Sequence, residues 1–196
     1  MSTEHLIPDD IHDLYEVHEW RNASAVLKEA HPAEWRDLID VLRGFRLRRS
    51  DISARGKNKS EISRKLDTPF YERGWREQKF NTSIVVDGAV HDSPTHKVDC
   101  FKDGVGVEVE WNNKDPFYDR DLSNFRLLFE LRTLDVGVVI TRCDELQGIF
   151  DELGKGSSYG PSTTHMSKLL PRIEGGGGGG CPILAFGIGK KVYVDE

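Results

Sequence analysis

The chain has 196 residues, 37% of them hydrophobic and 31% charged, with a formal net charge of -6. That length supports one domain with a full core, expected to span residues 1–196, and no apolar run approaches the roughly 20 residues of a membrane span. Three widely spaced cysteines (Cys100, Cys143, Cys181) suggest neither a disulfide framework nor a zinc site, and the opening segment MSTEHLIPDDIHD lacks the basic and apolar regions of a secretory signal. A reducing, cytoplasmic setting is therefore expected.

Charge is unevenly spread along the chain. The first 19 residues hold six acids and no Lys or Arg, whereas residues 46–65 hold eight cations against Asp51 and Glu61. The basic stretch reads either as a solvated loop or as a phosphate-contacting arm. Residues 20–30 and 32–46 are predicted helices. In the second, Pro32 suits the first turn, and Trp35, Leu38, Ile39, Leu42 and Phe45 recur at helical spacing. Residues 1–45 are thus an N-terminal helical segment for packing or dimerisation. Residues 48–59 read as a loop, Ser60 as the cap of a helix ending near Leu66, and Pro69 and Gly74 as punctuation before Trp75.

From residue 82 the hydrophobic period becomes two. Thr82–Val86 and Ala89–His91 flank Asp87-Gly88, a hairpin signal; Lys97–Phe101 and Val105–Trp111 flank Asp103-Gly104 in the same way. Residues 121–132 return to helical spacing, with Asp121 or Ser123 as caps. Val136–Thr141 is a continuous apolar run, the mark of a strand buried on both faces. A helix over Asp144–Leu153, a loop over 154–163, a short helix over 163–170, a glycine hinge at 175–180, and closing strands at Pro182–Ile188 and Lys191–Val194 follow. This order describes an α/β fold, a mixed sheet covered by helices on both faces.

In VGVEVEW (residues 105–111), Val105, Val107 and Val109 point one way and Gly106, Glu108 and Glu110 the other. Two carboxylates about 7 Å apart on one strand face repel unless something positive lies beside them. The turn at Asp103-Gly104 folds Asp99 back alongside, so three carboxylates can converge, a donor set suited to magnesium. Glu-x-Glu on a strand is more often the solvent face of an amphipathic ribbon, and spacing alone favours that explanation. No histidine forms a metal spacing with another His or Cys, so zinc is not expected.

The surrounding residues carry more information. The segment EVEWNNKDPFYDRDLSNFRLLFE (108–130) resembles the corresponding part of the BglII/BstYI-type type II restriction endonucleases, as do SEISRKLDTPFYERGWREQKF (60–80) and STTHMSKLLPRIEGGGGGGCPILAFGI (162–188). The resemblance implies a restriction-endonuclease-like PD-(D/E)xK fold. It also implies a homodimer making Mg²⁺-dependent double-strand cuts in a short DNA palindrome, with a GATC core suggested, and a cognate methyltransferase acting on the same site. On that pattern Asp99 and Glu108 are metal-binding acids, with the Val109 carbonyl beside them. Glu110 falls where most of the superfamily has lysine and BglII-like enzymes have glutamine; here the residue is glutamate, as in the BamHI-like variant. It could accept a proton from the attacking water or hold a second metal. Glu77, expected at a helix end just before the first strand, is a further acid of the site or an exposed glutamate.

For DNA reading, Asn112, Asn113, Lys114 and Asp115 follow the catalytic strand and carry the side-chain types that suit base edges; otherwise they form a polar turn before Pro116. The second region is Ser157, Ser158, Tyr159, Ser162, Thr163, Thr164 and His165, with Arg172 beyond; here the resemblance implies base and phosphate contacts. Lys57, Lys59 and Arg64 are expected at phosphates. A structure-specific repair-type nuclease and a non-catalytic DNA-binding protein on the same fold are the competing readings.

Overall fold

A computed structural model describes residues 2–53 and 61–196. In chain order the elements are α1 (Asp9–Leu14), β1 (Tyr15–Trp20), α2 (Ala23–Ala30), α3 (Pro32–Gly44), β2 (Leu47–Arg48), α4 (Arg49–Ser53), α5 (Glu61–Glu72), β3 (Arg76–Gln78), β4 (Asn81–Val86), β5 (Ala89–Pro94), β6 (Val98–Lys102) and β7 (Val105–Val109). They continue with α6 (Phe117–Glu130), β8 (Val136–Arg142), α7 (Gln147–Glu152), α8 (Met166–Glu174), β9 (Ile183–Ile188) and β10 (Tyr193–Val194). A six-stranded mixed sheet in the order β1-β9-β8-β7-β6-β3 forms the centre. Strands β7, β8 and β9 run parallel, and β1, β6 and β3 pair antiparallel at the flanks. No described helix is long and apolar enough to cross a membrane.

Strand periodicity divides the core in two. Val105, Val107, Val109, Val136, Val138, Ile140, Leu184 and Phe186 face a cluster shared with α1, α2, α3, α5 and α7. Val139, Ile183 and Ala185 face the other cluster, built with Tyr118, Leu122, Phe125 and Leu128 of α6 and Met166, Leu169 and Ile173 of α8. The expected α/β architecture with helices on both faces is present. The stripe Trp35, Leu38, Ile39, Leu42 and Phe45 is spent in the first cluster.

Two glycines let α6 lie close to the sheet. Gly106 and Gly137 are register partners on adjacent strands. A Cβ at Gly137 would run into the Phe125 ring, and one at Gly106 would come within 2.7 Å of Leu134 and 3.2 Å of that ring. Close packing at this density leaves no room for either added carbon.

Several expectations need correction. Tyr15–Trp20 is an edge strand preceding the first long helix, with Tyr15 and Val17 buried. Helix α5 runs through Pro69 to Glu72, and α8 runs through Pro171 to Glu174; the sequence reading stopped each at or before its proline. A helix-interior proline costs a backbone hydrogen bond, which burial of Ile62, Leu66 and Phe70 in one case and Met166, Leu169 and Ile173 in the other offsets. The region 48–59 was read wholly as loop, yet Arg49–Ser53 is helical; Lys57, Lys59 and Ser60 lie outside the described residues.

Helix α6 begins at Phe117, several residues before the expected start. Strands β4 and β5 form the expected hairpin, with Asp87 and Gly88 both at positive φ, but the ribbon stands apart as its own two-stranded sheet. The C-terminal strand β10 likewise leaves the main sheet and pairs in parallel with β2. The glycine run is a bonded series of turns: Gly177 N–H donates to the Arg172 carbonyl at 2.9 Å, and Cys181 N–H to the Gly178 carbonyl at 3.1 Å.

Candidate active site

The β6–β7 hairpin brings Asp99 beside Glu108. Val109 N–H donates to Asp99 Oδ2 at 3.2 Å, and Asp99 N–H donates to Glu108 Oε2 at 3.4 Å. Glu108 and Glu110 are only 1% and 2% exposed, which excludes the solvent-face explanation of Glu-x-Glu. Glu108 Oε1 is buried with no hydrogen-bond partner among the described residues. Burial, followed by the charges of Asp121, Asp99 and Glu110, holds the Glu108 carboxyl well above the usual range.

Glu110 lies one residue beyond β7, its N–H donating to the Ile140 carbonyl at 2.9 Å. Its Oε2 accepts from Asn113 Nδ2 at 2.8 Å and its Oε1 from Arg120 Nη2 at 3.4 Å. Arg120 also donates to Asp121 Oδ1, through Nε at 2.8 Å and Nη2 at 2.7 Å, and lies over the Phe117 ring. Burial, then the neighbouring Asp121, pushes the Glu110 carboxyl up to about 9. Burial likewise raises Asp121, although Glu110 and Arg120 act in the opposite sense. His96 feels the charges of Arg120, Asp121, Asp99 and Glu77; its own burial, then the Arg120 charge, lowers its pKa.

Asp121 and Arg120 are partners that the sequence alone does not single out: Asp121 is expected there only as one of two helix-cap candidates with Ser123, whereas it lies inside α6. A usable signal existed: Asp121 falls within the apolar stripe Tyr118, Leu122, Phe125, Leu128, so it must face the sheet.

The acids form two pairs, Asp99 with Glu108 and Glu110 with Asp121. Among the described residues no three His, Cys, Asp or Glu side chains are gathered as a ready metal site. The Asp99–Glu108 pair nevertheless fits a divalent cation. Its charges repel, Glu108 Oε1 has no partner among the described residues, and magnesium binds commonly through one or two carboxylates together with substrate phosphate. Glu77 is apart from these buried acids. It lies on strand β3, not at a helix end, and is exposed and paired with Lys97 at 2.6 Å.

The two segments expected to read DNA lie side by side. Lys114 bridges to Thr163, Thr164 N–H donates to the Asn113 carbonyl at 2.8 Å, and Asp115 N–H donates to the Ser162 carbonyl at 3.2 Å. Lys114, Ser157, Ser158 and Ser162 are exposed, and Asn112, Asn113 and Thr163 half-buried. Asn112 takes a left-handed backbone, φ 57°, a conformation asparagine tolerates.

Tyr159, Thr164 and His165 are buried, and Thr164 and His165 spend their polar side chains on the protein itself. His165 pairs with Asp144 at 2.8 Å, and Arg172 with Asp119 at 3.0 Å and Asp115 at 3.4 Å. Arg64 projects from α5 and bonds Glu61.

A mixed sheet flanked by helices, with buried acids on its central hairpin, is the architecture of a restriction-endonuclease-like domain. The family model described as restriction endonuclease BglII/BglIII matches residues 15–188, and the chain belongs to the BglII-type restriction endonuclease family. No curated protein matches the sequence.

Proposed function

We propose that the protein is a type II restriction endonuclease making Mg²⁺-dependent double-strand cuts at a short DNA palindrome. One observation carries the reading within a restriction-endonuclease family: a buried glutamate, Glu108, with one oxygen unpartnered beside Asp99. Asp99 and Glu108 would hold the cation. When bound, it supplies charge neutralisation at the scissile phosphate and an acidified water.

The chain's own groups account for the rest of the chemistry. On the resemblance, Glu110 stands where most of the superfamily has lysine, and it cannot stabilise an anion as lysine would. Its carboxyl, pushed up to about 9, must first release its proton, which a cation held at Asp99 and Glu108 would favour; the carboxylate can then accept a proton from the attacking water. Arg120 and Asn113 fix its two oxygens, so the accepting atom is held in place. Exposed Lys114, Ser157, Ser158 and Ser162 are the surface groups offered to bases and phosphates. A homodimer would match a palindrome by its two-fold axis, a GATC core follows the resemblance, and a cognate methyltransferase would protect the host site.

Incubation with plasmid DNA and Mg²⁺ tests the reading. Discrete fragments that vanish with EDTA, whose sequenced ends share one palindrome, are expected. Relaxed nicks without a common sequence would indicate a structure-specific nuclease, and unchanged plasmid that still shifts in a gel would indicate a binder.

A further inference from the structure

The loop carrying Ser157, Ser158 and Ser162 is built into the backbone of the catalytic strand. Thr164 is fully buried. Its single hydroxyl donates to the Glu110 carbonyl at 3.3 Å and accepts from Asn113 N–H at 3.2 Å. One side chain of the loop therefore holds the main chain on both sides of the segment linking Glu110 to Asn113. These are also the two residues joined by the 2.8 Å side-chain bond that orients Glu110.

The other end of the loop is held from the sheet. Arg142, the last residue of β8, is 2% exposed and donates through Nη2 to the Tyr159 carbonyl at 2.8 Å and to Thr163 Oγ1 at 3.1 Å. Phe150 lies 5.4 Å from its guanidinium and stacks on Tyr159 at 4.0 Å, with Trp111 edge-on to both rings. The Arg142 Nε has no hydrogen-bond partner among the described residues.

Stability alone is a poor account of a buried guanidinium left partly unsatisfied, because apolar side chains usually fill such a site at no loss. One nitrogen of the rigid guanidinium, Nη2, instead fixes two acceptors of one loop relative to the sheet. The aromatic cluster beneath prevents that loop from sliding over it.

We propose that Thr164 and Arg142 are positioning residues that couple sequence reading by the 157–165 loop to the placement of Glu110. A wrong base pair that displaces the loop then displaces the Glu110 main chain through Thr164, and the error is felt at the cutting step rather than in binding. This inference rests on the reading that the site cuts DNA at a defined sequence.

Single-turnover cleavage of a duplex bearing the enzyme's own site, and of duplexes with one base pair changed, tests it. Thr164→Val keeps the shape and removes both bonds. Its saturating rate on the cognate duplex should fall about 100-fold, the scale of a misplaced catalytic group, with the half-saturating concentration within about threefold. Its preference over changed duplexes should narrow, and Thr164→Ser should restore both. A Val variant with wild-type rate and preference, or a loss that Ser does not restore, overturns the coupling.

Should Thr164→Val melt as an unfolded chain, Arg142→Met decides, since it keeps an apolar stem in the buried site and removes the Nη2 donor of both bonds. Narrowed preference supports the coupling and unchanged preference overturns it. Wild-type protein that yields no discrete fragments defeats the proposed function itself. Discrete wild-type fragments with unaltered variants defeat only the coupling.

Discussion

Glu108 and Glu110 stand two residues apart on one face at the end of β7, yet their surroundings differ in kind. Glu108 meets the carboxylate and the backbone amide of Asp99, keeps its Oε1 unpartnered, and has no cation bonded to it among the described residues. Glu110 meets a guanidinium, an amide side chain and a second acid. The first environment leaves negative charge for a cation from solution to settle. The second already carries its own cation, Arg120, so it suits handling a proton. The alternation of a strand put both carboxylates on the α6 face, and only the neighbouring elements gave them different chemistry.

The contrast can be broken most sharply at the first pair. Asp99→Ala or Glu108→Gln should lower cleavage roughly a thousandfold or more, several kcal/mol of lost charge stabilisation, while gel-shift affinity for DNA stays close to wild type. Wild-type cleavage by either variant would remove that pair from the site. Glu110→Gln comes next, with an expected loss of about 100-fold in the saturating rate, the lower range for a lost general base.

The same substitution sharpens the comparison through stability. With its folded pKa raised to about 9 from the usual 4.5, Glu110 keeps a proton that the unfolded chain has released. Its contribution is therefore fully present below pH 4.5 and is lost as pH rises through 9. In metal-free protein, Glu110→Gln should raise the melting temperature at pH 8 relative to wild type and flatten its decline from pH 5 to 9. A steeper decline would contradict the environment assigned to Glu110. The smallest effect is expected at Glu77→Gln. It breaks an exposed pair with Lys97, the kind worth about 0–1 kcal/mol, and should leave cleavage within about threefold.

Much of this contrast was written in local sequence. The β6–β7 hairpin follows from Asp103-Gly104, both of which adopt positive φ, and β8 from an apolar run buried at every position. The Asp99–Glu108 pair follows from that hairpin. What local pattern could not supply was contact between distant segments. Arg120 and Asp121 reach Glu110 only because α6 lies across β7, and the Ser157–His165 loop reaches it across 54 residues at Thr164. Strand β1 was missed because an edge strand buries few of its alternating residues, here Tyr15 and Val17. The β4–β5 ribbon was legible as a hairpin, but turn chemistry fixes only pairing between its own strands, not whether they join a sheet.

The paired glycines beneath Phe125 act as a depth gauge for the site. With no side chain at Gly106 or Gly137, the ring sinks onto the sheet and α6 comes down with it. The height of that helix sets how near Arg120 and Asp121 come to Glu110. A single methyl group at Gly137, with no charge and no contact to DNA, would lift the helix and retune the electrostatics of a carboxylate on the neighbouring strand. Here a packing detail in the apolar core becomes a setting of the site's proton chemistry.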